Sequence, residues 1–332
     1  MAVRYSESDY AYVSARVRAM EVGLIGKERI GALLEMKTAD EVLEALFSAG
    51  FPRVTREDGS VDDEAVLAAV MREGISVLSP LMPDPSLLFT LQYPYDCHNI
   101  KAIIKCRAAG VDPRSMLIDM GSVPTARLLD RVAEGDYGVL PTHMGEAVPA
   151  LLAAYARNKD PREIDLALDR ACFLDLADAA RGFAFAERLV RANADLSNIK
   201  TCLRLLRMSN TYLAELLFAR AFVPGGTLEE RFFTEAFASG ESRLADLLVT
   251  TPYSRVLLTE GQRTLAKVER NADDHLMGEL ARVRYTPYGA EVPLAYLMGL
   301  QTSLKNLRIL LNGKRAGLDR DALCERVRES YV

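Results

Sequence analysis

The chain carries little of the vocabulary of catalysis. It has three histidines, His98, His143 and His275. His143 lies one helical turn from Glu146, and Asp273-Asp274-His275 groups ligand-type side chains, but neither has a second histidine at metal-ligand spacing. A capping or surface role is the simpler expectation for each. No Gly-x-Ser-x-Gly and no Gly-x-Gly-x-x-Gly occurs. Asn312-Gly313-Lys314 resembles the end of a phosphate loop, yet Arg308 stands where that loop needs glycine and Arg315 where it needs Ser or Thr. A nucleotide loop is thereby excluded, and no catalytic residue, metal site or cofactor is assigned.

Other scarcities bound the class. The five cysteines, Cys97, Cys106, Cys172, Cys202 and Cys324, form no Cys-x-x-Cys pair, and their odd number argues against a disulfide framework. They are expected to be buried as small apolar residues in a reducing cytosolic compartment. The longest apolar stretches, around Ala147–Ala156 and Val292–Leu300, fall short of the ~20 residues a bilayer span needs. The first ten residues carry charge and lack the apolar core of a signal peptide. A soluble chain is the expectation. Net charge is −5, which gives no basic footprint for nucleic acid or anionic lipid. Runs of alternating β-branched residues are absent, so β content should be negligible.

What the chain does have is a repeat. Asn99-Ile100-Lys101, Asn198-Ile199-Lys200 and Asn306-Leu307-Arg308 recur at intervals of 99 and 108 residues. Each opens a stripe with helical spacing: Ile100, Ile103, Ile104; Ile199, Cys202, Leu203; Leu307, Leu310, Leu311. The same phase in all three means that the same face is buried each time. The interval suits a small helical module. Modules of roughly 1–110, 111–223 and 224–332 within a single unit follow, and the chain begins and ends in mid-repeat. The expected architecture is all-α, with three pseudo-threefold-related helical modules closed into a ring or funnel at a seam between the two ends.

Around these keyed helices the punctuation predicts the remaining elements. One amphipathic helix is expected over Arg4–Gly23, then short helices at Lys27–Met36 and at Ala39–Ala49, the latter with a capping box from Thr38 and Glu41. Ser60 and Asp63 open a helix to Leu78. Asp96 is expected to cap the first keyed helix, which Gly110 closes. Asp112–Met120, Pro124–Glu134, Gly145–Ala156 and Pro161–Arg181 follow. The second keyed helix meets no Gly or Pro before Pro224 and is expected to run on towards Ala221. A second capping box, Thr227 with Glu230, starts Leu228–Ala238, and Ser242–Leu248 follows. Leu257–Tyr285 reads as a long helix with Asp274 in the role of Asp63 and Asp169. Pro293 starts the last keyed helix, and Asp319–Glu329 is a final short one.

One polar feature recurs. Lys101 and Lys105, Lys200 and Arg204, and Arg308 set a cationic edge beside each buried stripe. Ion pairing within the chain or simple exposure is one reading. The other is that these edges face the ring's opening and receive an acidic partner. The recurring Asn is read as structural, its amide holding helices in register.

These words resemble a known family. Asp96-x-x-Asn99-Ile100-Lys101-Ala102-Ile103-Ile104-Lys105, the run Lys305 to Lys314, the ending Val327-Arg328-Glu329-Ser330-Tyr331-Val332 and the opening Tyr10 to Glu21 are similar to the C subunit of archaeal and bacterial V-type (A-type) ATPases, the counterpart of the eukaryotic d subunit. The likeness runs end to end. It departs at Ser303, which stands where Asp96 and Asp195 stand in the other copies, so the start of the third keyed helix is expected to differ. The resemblance implies a non-catalytic adapter on the cytoplasmic face of the membrane, with the proteolipid rotor ring and the central axle subunits as partners. It carries over no catalytic motif. A free-standing helical scaffold for peptides, and a helical metal hydrolase built on His143 and His275, are the competing readings.

Overall fold

A computed structural model describes residues 5–257 and 264–332. Among the described residues the regular structure is helical, apart from an isolated antiparallel bridge between Thr55 and Val61. Two compact units form, one from Met1–Pro85 with Tyr253–Val332, the other from Ser86–Pro252. In chain order the first unit holds α1 (Ala11–Glu21), α2 (Lys27–Glu35), α3 (Ala39–Ser48) and α4 (Asp63–Leu78). The second holds α5 (Phe89–Ala109), α6 (Thr125–Glu134), α7 (Thr142–Asn158), α8 (Arg162–Ala180), α9 (Ala184–Leu206), α10 (Thr211–Ala221), α11 (Glu230–Ser239) and α12 (Glu241–Leu248). The chain returns to the first unit for α13 (Leu265–Val283), α14 (Glu291–Arg315) and α15 (Arg320–Cys324).

The three keyed helices are α5, α9 and α14. Their stripes are buried as the periodicity requires: Ile100, Ile103, Ile199, Cys202, Leu203, Leu307, Leu310 and Leu311 are all 0% exposed. Each such side chain contributes roughly 1.5–3 kcal/mol by leaving water. In the second unit the α5 stripe meets Leu128 of α6, Met144 and Val148 of α7, and Ile164 and Leu168 of α8 in one core. Phe218 of α10 packs its ring against Phe233 and Phe237 of α11, with centroids 5.0 and 5.3 Å apart. In the first unit α14 is the hub, touching α1, α2, α3, α4, α13 and α15. All five cysteines are free thiols; four are buried and Cys324 is half-buried. Contact with Cys97 and burial push the Cys172 thiol up, and burial takes Cys202 to about 12.

Several boundaries differ from the sequence reading, each for a local reason. Asp96 does not cap α5, which begins at Phe89 and passes through Pro94. The stacked rings of Phe89 and Tyr93, 5.2 Å apart, and the buried Leu91 fix that extra stretch. Asp112–Met120 forms only a 3-10 turn, Arg114–Met116. The second keyed helix stops at Leu206 because Asn210 accepts from Leu213 N at 3.0 Å and starts α10 as a separate helix. Thr227 does not cap α11, whose first residue is Glu230, because its hydroxyl is engaged elsewhere. Arg4 lies outside the described residues, and the helix expected from Arg4 is a 3-10 turn, Glu7–Tyr10, followed by α1. Of Leu257–Tyr285, residues 258–263 lie outside the described residues, and α13 begins after Thr264, whose hydroxyl accepts from Lys267 N. The final helix spans only Arg320–Cys324.

Candidate functional site: a repeated clamp beside a cationic edge

The recurring asparagine does the same thing three times. Asn99 Nδ2 donates to Ile118 O at 2.8 Å, and Ile118 N donates to Asn99 Oδ1 at 2.9 Å. Asn198 makes the same pair with Val223, at 2.9 Å in both directions. Asn306 makes it with Arg328, at 3.0 and 2.8 Å. A primary amide offers one donor and one acceptor side by side, so it can satisfy both backbone groups of one residue as a neighbouring strand would. The clamped residue lies 19, 25 or 22 positions downstream. Between clamp and anchor sit a 3-10 turn, the whole of α10, and α15. Thus the return of the chain is fixed to the keyed helix whatever the connection contains.

One turn before each asparagine lies a second device. Asp96 accepts from Ser122 N and Oγ at 2.9 and 2.6 Å and from Val123 N at 3.2 Å. Asp195 accepts from Thr227 N and Oγ1 at 2.9 and 2.6 Å and from Leu228 N at 2.9 Å. Both aspartates are 0% exposed. For Asp96, burial pushes the carboxyl up against the three donors that favour its charge. The approach is close enough to require glycine. A Cβ at Gly121 would lie 2.0 Å from Asp96 Oδ1, and one at Gly226 would lie 2.1 Å from Asp195 Oδ1. This pairing of helix aspartate with a Gly-Ser or Gly-Thr step was missed from sequence, although Gly121-Ser122 and Gly226-Thr227 are the visible signal.

The third copy inverts the arrangement. Tyr331 takes the place of the loop glycine and is buried, donating from its hydroxyl to Glu21 Oε1 at 3.0 Å. The glycine now lies on the helix: a Cβ at Gly299 would come 2.7 Å from Tyr331 Cβ. Ser303, in the aspartate position, turns its hydroxyl to Gly299 O at 3.0 Å. All three keyed helices start well before this position, so the substitution changes the docking of the returning chain and leaves the helix start untouched. Lys27 N donates to Val332 O at 3.3 Å, which brings the last residue against the start of α2.

The cationic edge is largely engaged within the chain. Lys101 Nζ lies 2.5 Å from Asp169 and 3.8 Å from Asp165, and Lys105 Nζ lies 2.6 Å from Asp165. Arg308 forks onto Glu64 at 2.7 to 2.9 Å. Burial pulls the Lys101 ammonium down, but Cys97 and the two aspartates outweigh it and hold the group above its ordinary value. Lys200 and Arg204 also have interaction partners. Asp169 on α8 and Asp63 on α4, which meets Arg315 at 2.5 Å, each receive a cation from a keyed helix. Asp274 does something else: it accepts from Glu329 N at 2.7 Å and pairs with Arg270.

The histidines have local partners. His98 Nε2 contacts Met116 O at 3.0 Å, His143 Nε2 contacts Asp178 at 3.0 Å, and the His275 ring lies 5.0 Å from Tyr253. Among the described residues no three ligand-type side chains gather around one point. Asp273 accepts from Lys305 Nζ at 2.5 Å and from Arg328 Nε at 2.9 Å. Burial would raise its carboxyl, yet Lys305 and Arg328 win and hold it below its ordinary value. A lowered folded pKa contributes stability above the unfolded value that is lost as pH falls through the folded one. Asp273→Asn should therefore destabilise the chain at neutral pH and flatten the acid limb of a denaturation series below the ordinary carboxylate range. An unchanged acid limb would remove Asp273 from that role.

Comparison with known proteins adds to this geometry. The family model described as ATP synthase (C/AC39) subunit matches residues 13–326. The chain is 24% identical to the C subunit of the V-type sodium ATPase of Enterococcus hirae, covering 97% of this chain and 99% of that protein. It is 27% identical to the C subunit of the V-type ATP synthase of Thermus thermophilus, covering 96% and 98%. It is 23% identical to the C subunit of the A-type ATP synthase of Thermococcus kodakarensis, covering 98% and 92%.

Proposed function

Since the chain belongs to the ATP synthase (C/AC39) subunit family, and is thus a structural rather than a catalytic subunit of a rotary ATPase, we propose that it is the adapter joining the central axle to the membrane proteolipid ring. The match over residues 13–326 carries this reading. The role needs stiffness more than chemistry. A body that passes torque must not slip between its helices, and close-packed interiors with satisfied polar contacts resist slipping. The amide clamps at Asn99, Asn198 and Asn306 supply such contacts at equivalent points of three helices. Closure of the three modules into a ring or funnel belongs to the same proposal, as does a place on the cytoplasmic face of the membrane through protein contacts. No helix among the described residues is long and apolar enough to cross a membrane.

The partner-facing role of Lys101, Lys105, Lys200, Arg204 and Arg308 stands as a narrower part of the proposal. Lys105 and Arg308 keep 40% and 47% of their side chains exposed while paired, so an acidic partner would compete with Asp165 and Glu64. Such half-exposed pairs are each worth at most about 1 kcal/mol. Charge reversal at Lys105 and Arg308, the half-exposed members of the edge, should weaken partner binding several-fold with little change in melting temperature. A fall in melting temperature with affinity unchanged would leave these cations purely structural.

The decisive experiment mixes the purified chain with a purified proteolipid ring and, separately, with the axle subunits at low salt. Co-migration with both is expected. Failure to join either would favour a free-standing scaffold.

A further inference from the structure

Two of the five cysteines are placed as a pair. Cys97 lies on α5 and Cys172 on α8, within one core of the second unit. Cys97 Sγ donates to Leu168 O at 3.5 Å, and Cys172 Sγ donates to Tyr93 O at 3.8 Å. Leu168 stands one helical turn before Cys172, and Tyr93 one turn before Cys97, so each thiol reaches across to the carbonyl beneath the other. That crossed pattern sets the two side chains beside each other at one level of the α5–α8 contact. Contact with Cys97 is also the largest influence on the Cys172 thiol, ahead of burial, and both push it up. Lys101, one turn after Cys97, interacts with both sulfurs, and a positive charge there favours a thiolate. The other cysteines are placed differently: Cys106 Sγ meets Met116 Sδ, burial alone shifts Cys202, and Cys324 is half-buried.

We propose that Cys97 and Cys172 are an oxidisable dithiol, which a peroxide converts to a disulfide that staples α5 to α8. Cys172 keeps its proton, so Cys97 is the attacking sulfur. Its thiolate attacks one oxygen of hydrogen peroxide: an S–O bond forms, the O–O bond breaks, and the departing hydroxide takes the proton that Cys97 released and leaves as water. Cys97 is then a sulfenic acid. The Cys172 sulfur attacks it, the S–S bond forms, the S–O bond breaks, and the hydroxyl leaves with the Cys172 proton as a second water. Two thiols lose two electrons, and one peroxide is reduced to two waters. A disulfide holds its Cβ atoms about 3.5–4.5 Å apart, and thiols that already touch stand close to that geometry. Both residues are shielded, at 4% and 6% exposure, so a small oxidant admitted by local opening is the one that fits. The staple closes the segment that holds α6 and α7, and a cross-link across a long segment stabilises chiefly by restricting the unfolded chain.

The test treats the folded full-length chain with hydrogen peroxide, quenches it, and alkylates the remaining thiols in denaturant. Two of the five thiols should be lost, and peptide mapping by mass should find one linked pair containing Cys97 and Cys172. Dithiothreitol added in denaturant should restore all five thiols. The oxidised chain should melt about 5–15 °C above the reduced one. In Cys172→Ala the sulfenic acid at Cys97 has no thiol to meet, so a 1,3-diketone that traps sulfenic acids should label Cys97 there and leave it unlabelled in wild type. Should that variant fail to fold, the linked peptide in wild type decides the matter by itself. Five thiols surviving in the folded chain would overturn the proposal, as would a sulfinic acid at Cys97 without a link, or a link that runs through Cys324 between two chains.

Discussion

Replacing Asn198 with alanine should cost about 2–6 kcal/mol of stability, because two buried backbone groups lose their partners at once and each orphaned group costs about 1–3 kcal/mol. Both clamp bonds of Asn198 are buried, and Val223, the residue it holds, is 3% exposed, so water cannot replace the amide. At Ile118 and Arg328 the equivalent bonds are only partly buried. The order of damage should therefore be Asn198→Ala above Asn99→Ala and Asn306→Ala. Asn198→Asp should not rescue the loss, since it keeps the acceptor for Val223 N but sets a second oxygen against Val223 O. Hydrogen exchange localises the effect: the Val223 amide should lose protection in Asn198→Ala while the α5 core keeps its own. Equal losses in all three copies would show that the clamp's worth does not depend on burial.

The second large effect is expected from a methyl group. Gly226→Ala places a Cβ where Asp195 Oδ1 sits 2.1 Å away, so either the loop or α9 must move, and three hydrogen bonds to a buried carboxylate go with it. A cost of about 3 kcal/mol is expected from overpacking and lost bonds together. Asp195→Ala alone should cost a similar amount by leaving Thr227 N and Leu228 N without an acceptor. The double variant should cost much less than the sum, with an interaction energy on the order of 2 kcal/mol, because the methyl no longer meets the carboxylate. Gly31→Ala is the control. Nothing lies within 4 Å of its added Cβ and it sits in α2, so that variant should gain about 0.5–1 kcal/mol from helix propensity. Denaturation of wild type and the four variants under one set of conditions decides the matter. Strict additivity would mean that the methyl and the carboxylate do not compete for one space.

The sequence made the clamp's owner visible and hid its partner. Asn99, Asn198 and Asn306 stand out because identical apolar stripes follow them, and a buried asparagine must find a donor and an acceptor. Nothing in a linear pattern says that these lie 19, 25 and 22 residues on, across connections of different structure. Asp96 shows the same limit. Standing after a proline and ahead of an apolar run, it has the look of an N-cap, yet its carboxylate reaches Ser122 and Val123. Short-range rules credit such a residue to its own helix because they count only neighbours in sequence.

By itself, then, the sequence determined most of the helical stretches, which face of each keyed helix is buried and that the pattern recurs three times, because periodicity and burial of apolar area are properties of local chain geometry. Tertiary structure alone decided where the buried polar groups find partners, how Tyr331 stands where the other copies have a loop glycine and packs against Gly299 of the helix, and which cations are already matched by carboxylates. The physical reason is range. An apolar side chain needs only to be out of water, and any neighbour will serve. A hydrogen bond or ion pair needs one particular atom at about 3 Å, and folding supplies that atom from a distant part of the chain.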